Sequence, residues 1–471
     1  MDATSNTADS TTAGLSADEI ALYDRQIRLW GAQAQERIRS ANILLISLRA
    51  LGTEIAKNLT LAGINSLTIV DDSPITEEDL GAQYFLRNED IGKPRADAAI
   101  PRIQELNPRV TVKSGGSLQN LLLQNQNYYT PFDIVIACDL DFNTTCNIND
   151  ACHLAGRPFY AAGIHGFYGY VFVDLKAHEF VVEREKSNKP TQLGPESETR
   201  SILAVTDKPD VPSNGKKMEM VKKQERYCPL RLANTSPLPA DTLANRRKLK
   251  SVPPLLPCLR ALFDFQSAYS RLPTHTTQDL GVFATLVNLK SQELTVPPLS
   301  ADSLRSFLHN LGAEIVPTAA FVGGRLSEDV INVLGKREQP IQNFALFDGD
   351  AMDGRIYCLY TKPPELLVGP ELMAMGMGGM PMQVDLGGAN VGNGVGMTMG
   401  GTGVNGDAGY AVPMEVVGGA PAGAENASVG NGVDGEVAGS GADAAAAPSI
   451  AATISAPTSA PANETGVTND A

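Results

Sequence analysis

Two arginines in the segment YDRQIRLWG (23–31) are the side chains of this chain best suited to binding phosphate. Arg25 and Arg28 flank the apolar positions of the segment, where such residues normally form a solvated or ion-paired helix surface. A guanidinium is also planar and permanently charged, so it binds phosphate oxygens well. Two interpretations therefore stay open, an ordinary helix surface or cations that contact the phosphates of a nucleotide.

A loop that resembles a damaged phosphate-binding loop follows about a dozen residues later. After the apolar run Ile43–Ile46, the sequence SLRALG (47–52) stands where a nucleotide-binding unit carries G-x-G-x-x-G. Ser47 and Arg49 replace the first two glycines, which allow a tight turn and close approach to pyrophosphate, and only Gly52 is retained. We expect the architecture of a nucleotide site without the site itself. Such a chain can offer an arginine only to nucleotide held by a partner.

Asp71 is a candidate remnant of that cofactor site, together with Gly52. It lies 19 residues beyond Gly52, close to the spacing at which an acid after the second strand binds a ribose hydroxyl. The alternative is a strand-end acid that caps the following turn, for which Asp72 is an equal candidate. A nicotinamide-dependent dehydrogenase would need the glycine loop that is absent.

The cysteines do not form a recognisable site. They are scattered without a C-x-x-C pair, which indicates reduced thiols rather than a disulfide framework or a zinc site, and we predict no metal site. A nucleophilic thiolate needs a nearby histidine or a helix N-terminus, and the five histidines show no local pairing. We interpret most of them as small core residues. The cysteines are Cys138, Cys146, Cys152, Cys228, Cys258 and Cys358.

Composition changes sharply at Lys362, after which there is no Lys or Arg. The Gly-, Ala- and Met-rich sequence beyond it cannot bury enough apolar surface to offset the entropy of ordering it. We therefore expect residues 1–15 and 370–471 to be disordered. Eleven of the fifteen net negative charges lie beyond Lys362, and the acidic balance argues against nucleic-acid binding. No apolar run reaches the roughly 20 residues of a membrane helix.

Continuous apolar strands alternate with helices, which predicts an α/β fold with a doubly wound, mostly parallel sheet. Residues 16–185 form its first part, beginning with a capping box and an amphipathic helix that ends near Gly31. Residues 186–257 are predicted to be an inserted, irregular and flexible segment, and 258–362 a helical segment that completes the domain. The basic patches KKMEMVKK (216–223) and NRRKLK (245–250) are either nuclear import signals or a solvated loop surface. The principal predicted strands are Ile43–Leu48, Ser66–Asp71, Val110–Val112, Phe132–Cys138, Tyr170–Leu175 and Asn343–Asp348.

Several longer motifs together resemble the ubiquitin-activating enzyme family over residues 16–360, apart from the variable middle segment. GAQYFL favours the small subunits of heterodimeric SUMO-activating enzymes over those of NEDD8-activating enzymes. The resemblance implies a Rossmann-like adenylation fold. The motifs are YDRQIRLWG, AKNLTLAGINSLTIVDD (56–72), DLGAQYFL (79–86), DIGKPRADAA (90–99), ELNPRV and FVGGRL.

The resemblance also implies a division of labour between two subunits. The large partner subunit holds ATP and Mg²⁺, adenylates SUMO and then carries it as a thioester. The small subunit completes the dimer and sends one arginine from its N-terminal helix to the partner's ATP phosphates, and Arg25 matches that position. Such an arginine would offset charge that develops as pyrophosphate leaves. We expect this chain to be inactive alone, to bind neither cofactor by itself, and to act in the nucleus and also in the cytoplasm.

Departures from the family's catalytic pattern agree with a non-catalytic subunit. The catalytic Asn-Arg-Gln appears as GAQ (81–83), and the lysine after the Gly-x-Pro turn appears as Arg95. The metal-binding aspartate of the pattern falls near Leu140, between Asp139 and Asp141. The alternatives are a regulatory subunit of a NEDD8-activating enzyme and a scaffold with no active-site role.

Overall fold

The structure, a computed structural model, describes residues 14–186, 188–208 and 217–363. The strands are β1 (Asn42–Ile46), β2 (Ser66–Val70), β3 (Thr111–Ser114), β4 (Ile134–Cys138), β5 (Phe159–His165), β6 (Tyr168–Asp174), β7 (Ala177–Glu185), β8 (Gly194–Pro195), β9 (Arg200–Asp207), β10 (Met218–Arg226), β11 (Phe344–Asp348) and β12 (Asp353–Tyr357). The helices are α1 (Ala17–Leu22), α2 (Asp24–Trp30), α3 (Ala32–Ser40), α4 (Ala50–Ala62), α5 (Arg95–Leu106), α6 (Leu118–Leu122), α7 (Phe142–Ala155), α8 (Leu230–Thr235), α9 (Ala240–Leu243), α10 (Arg246–Lys250), α11 (Leu255–Tyr269), α12 (Thr277–Glu293), α13 (Ala301–Asn310) and α14 (Val316–Gly335).

An eight-stranded sheet, ordered β12-β11-β6-β5-β4-β1-β2-β3, forms the centre of the fold. The strands from β5 to β3 pair in parallel, whereas β6, β11 and β12 add antiparallel pairs at the other edge. Helices lie on both faces, so the central strands are buried on both sides and read as continuous apolar runs. The predicted mixed α/β fold with a mostly parallel sheet is confirmed.

Successive side chains of β1 enter two different apolar cores. Leu45 belongs to the core that includes α4, α5 and α14, whereas Leu44 and Ile46 belong to the core that includes α7 and α11. The chain runs outward from β1 through β2 to β3 and then returns to place β4 on the other side of β1. In an open sheet, the crevice at the carboxyl ends of the strands on either side of such a reversal is the usual place for a ligand.

The N-terminal helix is broken in two, although the sequence predicted one continuous helix. The capping box at 16–19 forms, but α1 ends and α2 begins at Tyr23, whose backbone leaves the helical conformation. Tyr23 is buried, and its hydroxyl accepts a hydrogen bond from Asn107 Nδ2 at 2.9 Å. The prediction was wrong because this tertiary contact overrides the local periodicity. On α2, Gln26 Nε2 then donates to the carbonyl of Leu61 on α4 at 3.3 Å.

The segment 186–257 is not irregular over its described residues. Strands β8, β9 and β10 join β7 in a second, antiparallel sheet ordered β7-β10-β9-β8, and helices α8 to α10 follow. The sequence failed to predict these strands because three of the four buried positions of β10 hold paired charges, and only Val221 among them is apolar. The ion pairs are Glu219 with Arg184, Lys223 with Glu196, and Glu225 with Arg200.

Other elements also went unpredicted, among them helices α3, α6 and α12 and strands β7 and β12. Of the ends predicted to be disordered, residues 1–13 and 370–471 lie outside the described residues, whereas residues 14 and 15 are described. Within the described part of the chain, no helix combines the length and the apolar character needed to cross a membrane.

Candidate functional site

A cavity of about 570 Å³ opens at the carboxyl ends of β1, β2 and β4, where the strand order reverses. This is the position at which a doubly wound fold holds a nucleotide. Its lining is acidic, because six carboxylates face two guanidinium groups, so the phosphates of a nucleotide would meet net repulsion. The charged residues are Asp71, Asp72, Glu78, Asp79, Asp139 and Glu314, with Arg49 and Arg95.

The loop after β1 keeps the backbone shape of a phosphate-binding loop without the first two glycines. Ser47, at the first glycine position, has a φ of 72°, in the left-handed region that favours glycine. Gly52 lies within the first turn of α4, and a Cβ there would meet the Ser47 carbonyl oxygen at 2.2 Å. Gly52 therefore permits the helix to pack closely on the loop. This role requires no nucleotide.

The N-terminus of α4 is already occupied by an anion from the same chain. Glu314 Oε2 accepts a hydrogen bond from the Ala50 N–H at 2.9 Å, and Oε1 forms an ion pair with Arg49 Nε. A free helix N-terminus binds anions because its N–H groups lack partners and the helix dipole is positive there. The carboxylate of Glu314 thus lies where a nucleotide phosphate would bind. No sequence pattern pointed to this residue, which is 264 positions from Ala50.

Asp71 is engaged in holding the loop and the turn after β2. Its carboxylate accepts hydrogen bonds from the backbone N–H groups of Leu48 at 2.7 Å and Ser73 at 3.1 Å. Arg95 binds the same carboxylate at 2.7 Å and Asp79 at 3.1 Å, with only 8 % of its side chain exposed. These contacts fit the turn-capping interpretation of Asp71. They also place Arg95, at the position of the family's lysine, inside an internal ion-pair network.

Both aspartates near the family's metal position have roles within the fold. Asp139 follows β4 with a φ of 51°, and its carboxylate accepts a hydrogen bond from the Ile164 N–H at 2.9 Å. Burial raises the pKa of Asp139 to about 7, and the nearby Glu314 carboxylate acts in the same direction. Asp141 caps the N-terminus of α7. The described residues contain no group of three or more His, Cys, Asp or Glu side chains able to hold a metal ion.

The crevice therefore does not fit ATP with Mg²⁺. Its helix N-terminus holds the Glu314 carboxylate, its two arginines are paired internally, and its remaining lining is acidic. A nucleotide triphosphate would have to displace these contacts and face uncompensated carboxylates at short range. The crevice thus has the position and shape of a nucleotide site, but its net negative charge repels phosphate.

Arg25 lies on α2 and is not among the residues that line this crevice. Its side chain is exposed and forms no hydrogen bond or ion pair with the parts of the chain that the structure describes. Arg28, on the next turn, is paired with Asp24 at 3.1 Å. Of the predicted site residues, Asp71 lines the crevice, Gly52 lies beside it in the first turn of α4 without lining it, and Arg25 lies outside it, available to another molecule.

The cysteines and the basic patches add no further site. Five of the six cysteines are buried and one is half-buried, and burial raises the pKa of each thiol, which disfavours the reactive thiolate. In the first basic patch, Lys222 and Lys223 belong to β10 and pair with Glu179 and Glu196. The second patch is the exposed helix α10. A nuclear import role for either patch stays a prediction.

Comparison with known proteins gives the family. Residues 23–366 match the ThiF family. The chain is 38% identical over 357 residues to DNA damage tolerance protein RHC31 of Saccharomyces cerevisiae, covering 73% of this chain and 98% of that protein. It is 34% identical over 355 residues to SUMO-activating enzyme subunit 1 of Homo sapiens, covering 74% and 97%. The corresponding protein of Xenopus laevis is 33% identical over 356 residues, covering 74% and 98%. The chain therefore belongs to the ThiF family and groups there with SUMO-activating enzyme subunit 1.

Proposed function

We propose that this chain is the non-catalytic subunit of a heterodimeric SUMO-activating enzyme. The large partner subunit binds ATP and Mg²⁺, adenylates SUMO and then carries it as a thioester. This chain completes the assembly and does not turn over ATP alone. The proposal extends to the nucleus as the main place of action, with the cytoplasm as a second. The names of the relatives favour SUMO over NEDD8 as the modifier.

One observation carries the proposal, namely the Glu314 carboxylate at the N-terminus of α4. A subunit whose own phosphate position is filled by a carboxylate can take part in ATP chemistry only through another subunit's site. The same observation disfavours a nicotinamide-dependent dehydrogenase, which would place a dinucleotide pyrophosphate at this helix end. Asp71, the candidate ribose ligand, is in addition already bonded to Arg95.

We propose that Arg25 is the residue of this chain that contacts the phosphates of ATP bound to the partner subunit. Its guanidinium is exposed and unpaired with respect to the described residues, so no internal ion pair has to be broken when it binds phosphate. When adenylation expels pyrophosphate, negative charge grows on the leaving oxygens, and a positioned guanidinium stabilises that charge. Arg28 on the same helix differs, because it is paired with Asp24.

The test is an ATP–pyrophosphate exchange assay with purified partner subunit, SUMO and matched variants of this chain. We expect Arg25→Ala to lower SUMO-dependent exchange about tenfold to a thousandfold, comparable with the loss of one charge-stabilising donor. Arg28→Ala is the control and is expected to stay near wild type, because it removes only an exposed ion pair. The chain alone is expected to show no exchange.

Three results would contradict parts of the proposal. Exchange activity of the isolated chain would refute the division of labour. Equal activity of the Arg25→Ala and wild-type dimers would leave the chain as a scaffold with no active-site role. Charging of NEDD8 in preference to SUMO by the reconstituted dimer would identify the other class of activating enzyme.

A further inference from the structure

We propose that a basic groove at the β12 edge of the large sheet binds a small phosphate ester that has a hydrogen-bond donor beside its phosphate. The basic groove is lined by Arg200, Arg325, Arg355 and Gln342, among others, and has a volume of about 610 Å³. Sites for small molecules in proteins have volumes of roughly 300–1,000 Å³. The basic groove shares no lining residue with the acidic crevice, and its binding role goes beyond the proposed part in adenylation.

Three arginines from separate segments give the basic groove its charge. Arg200 is the first residue of β9, Arg325 lies on α14 and Arg355 lies on β12. The only carboxylate that the structure describes in this lining belongs to Asp241, and it is already paired with Lys248 at 2.6 Å. The lining therefore has an excess of positive charge, although the chain as a whole has a net charge of -15. Such a local excess attracts an anion.

Each arginine has a carboxylate partner that lies outside the lining of the basic groove. These pairs hold the guanidinium groups in place, so less side-chain entropy is lost when a ligand binds. A guanidinium has five N–H donors, so each arginine keeps donors for a ligand. Because the pairs also reduce the net charge, binding depends on hydrogen bonds from these remaining donors. The pairs are Arg200 with Glu225, Arg325 with Glu328, and Arg355 with Asp353.

Gln342 adds a second requirement, because its buried oxygen lacks a donor. Its side-chain Nε2 donates to the Arg226 carbonyl at 3.2 Å and to Cys358 Sγ at 3.4 Å, which fixes the orientation of the amide. The residue is only 7 % exposed, and its Oε1 is buried and accepts no hydrogen bond from the described residues. A buried acceptor without a donor is costly. A ligand with a hydroxyl or N–H group in the basic groove would remove this cost.

The two requirements together define the chemical class of the ligand. A phosphate ester offers three acceptor oxygens to the arginines, more than the two of a carboxylate, and its bonds to guanidinium groups are charge-assisted. An ionised phosphate by itself has no hydrogen to donate to Gln342, so the donor comes from the rest of the ligand. A nucleic acid fits poorly, because its repeated phosphates would be repelled by the net negative charge of the chain.

The experiment measures the affinity of glycerol 3-phosphate for variants of the full chain by isothermal titration calorimetry. Arg325→Gln removes one guanidinium whose only pair is an exposed one, so the fold is retained and we expect the Kd to rise about fivefold or more. Arg305→Gln is the matched control. Its pair with Asp302 is also exposed and also joins residues three apart, but Arg305 does not line the basic groove, so its Kd should equal that of wild type.

A second ligand tests the role of Gln342 without changing the protein. Methyl phosphate has the same charged group as glycerol 3-phosphate but no hydroxyl, and we expect wild type to bind it about fivefold more weakly, as for one lost hydrogen bond to a buried acceptor. Equal affinities for the two ligands would overturn the assigned class of ligand. Equal affinities of wild type and Arg325→Gln for glycerol 3-phosphate, or binding of sulfate as tight as that of glycerol 3-phosphate, would show that the basic groove is not a phosphate-ester site.

Discussion

Removal of the Glu314 side chain should free a position for an anion at the start of α4, where the other carboxylates of the crevice keep the binding weak. In the native structure this carboxylate accepts the Ala50 N–H and pairs with Arg49 at the start of α4. The variant Glu314→Ala leaves the helix N-terminus and the guanidinium without their anion. Inorganic phosphate should then bind in the vacated position, because an open helix end beside an arginine attracts anions.

The expected loss of stability follows from the contacts that are removed. A hydrogen bond to a charged group contributes about 1.5–3 kcal/mol, and an anion at a partly buried helix N-terminus up to about 2 kcal/mol. These terms overlap, and removal of Glu314 also relieves its repulsion of Asp139. We therefore expect a net loss of about 2 kcal/mol, which corresponds to a fall of roughly 2–5 °C in Tm for a chain of this size.

The assay compares Tm values in phosphate and in a non-binding buffer at equal ionic strength. If phosphate binds the Glu314→Ala variant with a Kd of about 5 mM, then 50 mM phosphate returns about 1.4 kcal/mol, most of the loss. Wild type should gain much less, since its position is filled. Glu328→Ala is the control, because its carboxylate forms only an exposed pair with Arg325 and caps no helix.

Either of two results would contradict this role of Glu314. A Tm of the Glu314→Ala variant equal to that of the Glu328→Ala control would mean that the carboxylate does not hold the helix end. Equal stabilisation of wild type and Glu314→Ala by phosphate would reflect a general solvent effect rather than a site.

Two further predictions concern Gly52 and Asp139. Gly52→Ala should destabilise the chain by about 1–3 kcal/mol in thermal unfolding, because its Cβ would meet the Ser47 carbonyl oxygen at 2.2 Å. Gly324→Ala is the control, since a Cβ there has open space, and it should be neutral or stabilising by up to about 1 kcal/mol. Similar losses for both variants would contradict this explanation. Asp139 has a pKa of about 7 when folded against 3.8 ordinarily, so the folded state retains its proton and stability falls as pH rises from about 4 to about 8. At about 1.4 kcal/mol per pKa unit this loss reaches at most about 4 kcal/mol, and the Tm advantage of Asp139→Asn should grow over that range; parallel pH profiles would argue against a buried, proton-retaining carboxyl.

Local patterns in the sequence predicted most of the large sheet. Apolar runs such as Ile43–Ile46 become strands that are buried on both faces, and the capping box at 16–19 starts a helix. The same rules failed where charge replaced hydrophobicity, as in β10, or where one distant contact decided the backbone, as at Tyr23. Pattern rules use only residues that are close in the sequence. They fail at β10 and Tyr23 because contacts with residues distant in the sequence decide the structure there.

By itself, the sequence determined that the phosphate loop had lost two glycines and that Arg25 stands on an N-terminal helix, because residue type and spacing are local properties. Tertiary structure alone decided that Glu314 fills the phosphate position, 264 residues from the helix end it binds, and that Gly52 is closely packed whereas Gly324 has open space. It also separated Arg25 from the paired Arg28. The contribution of a charged side chain or of an exposed backbone position to stability depends on the groups that pack next to it. Those groups come from distant parts of the sequence, so only the folded chain brings them together.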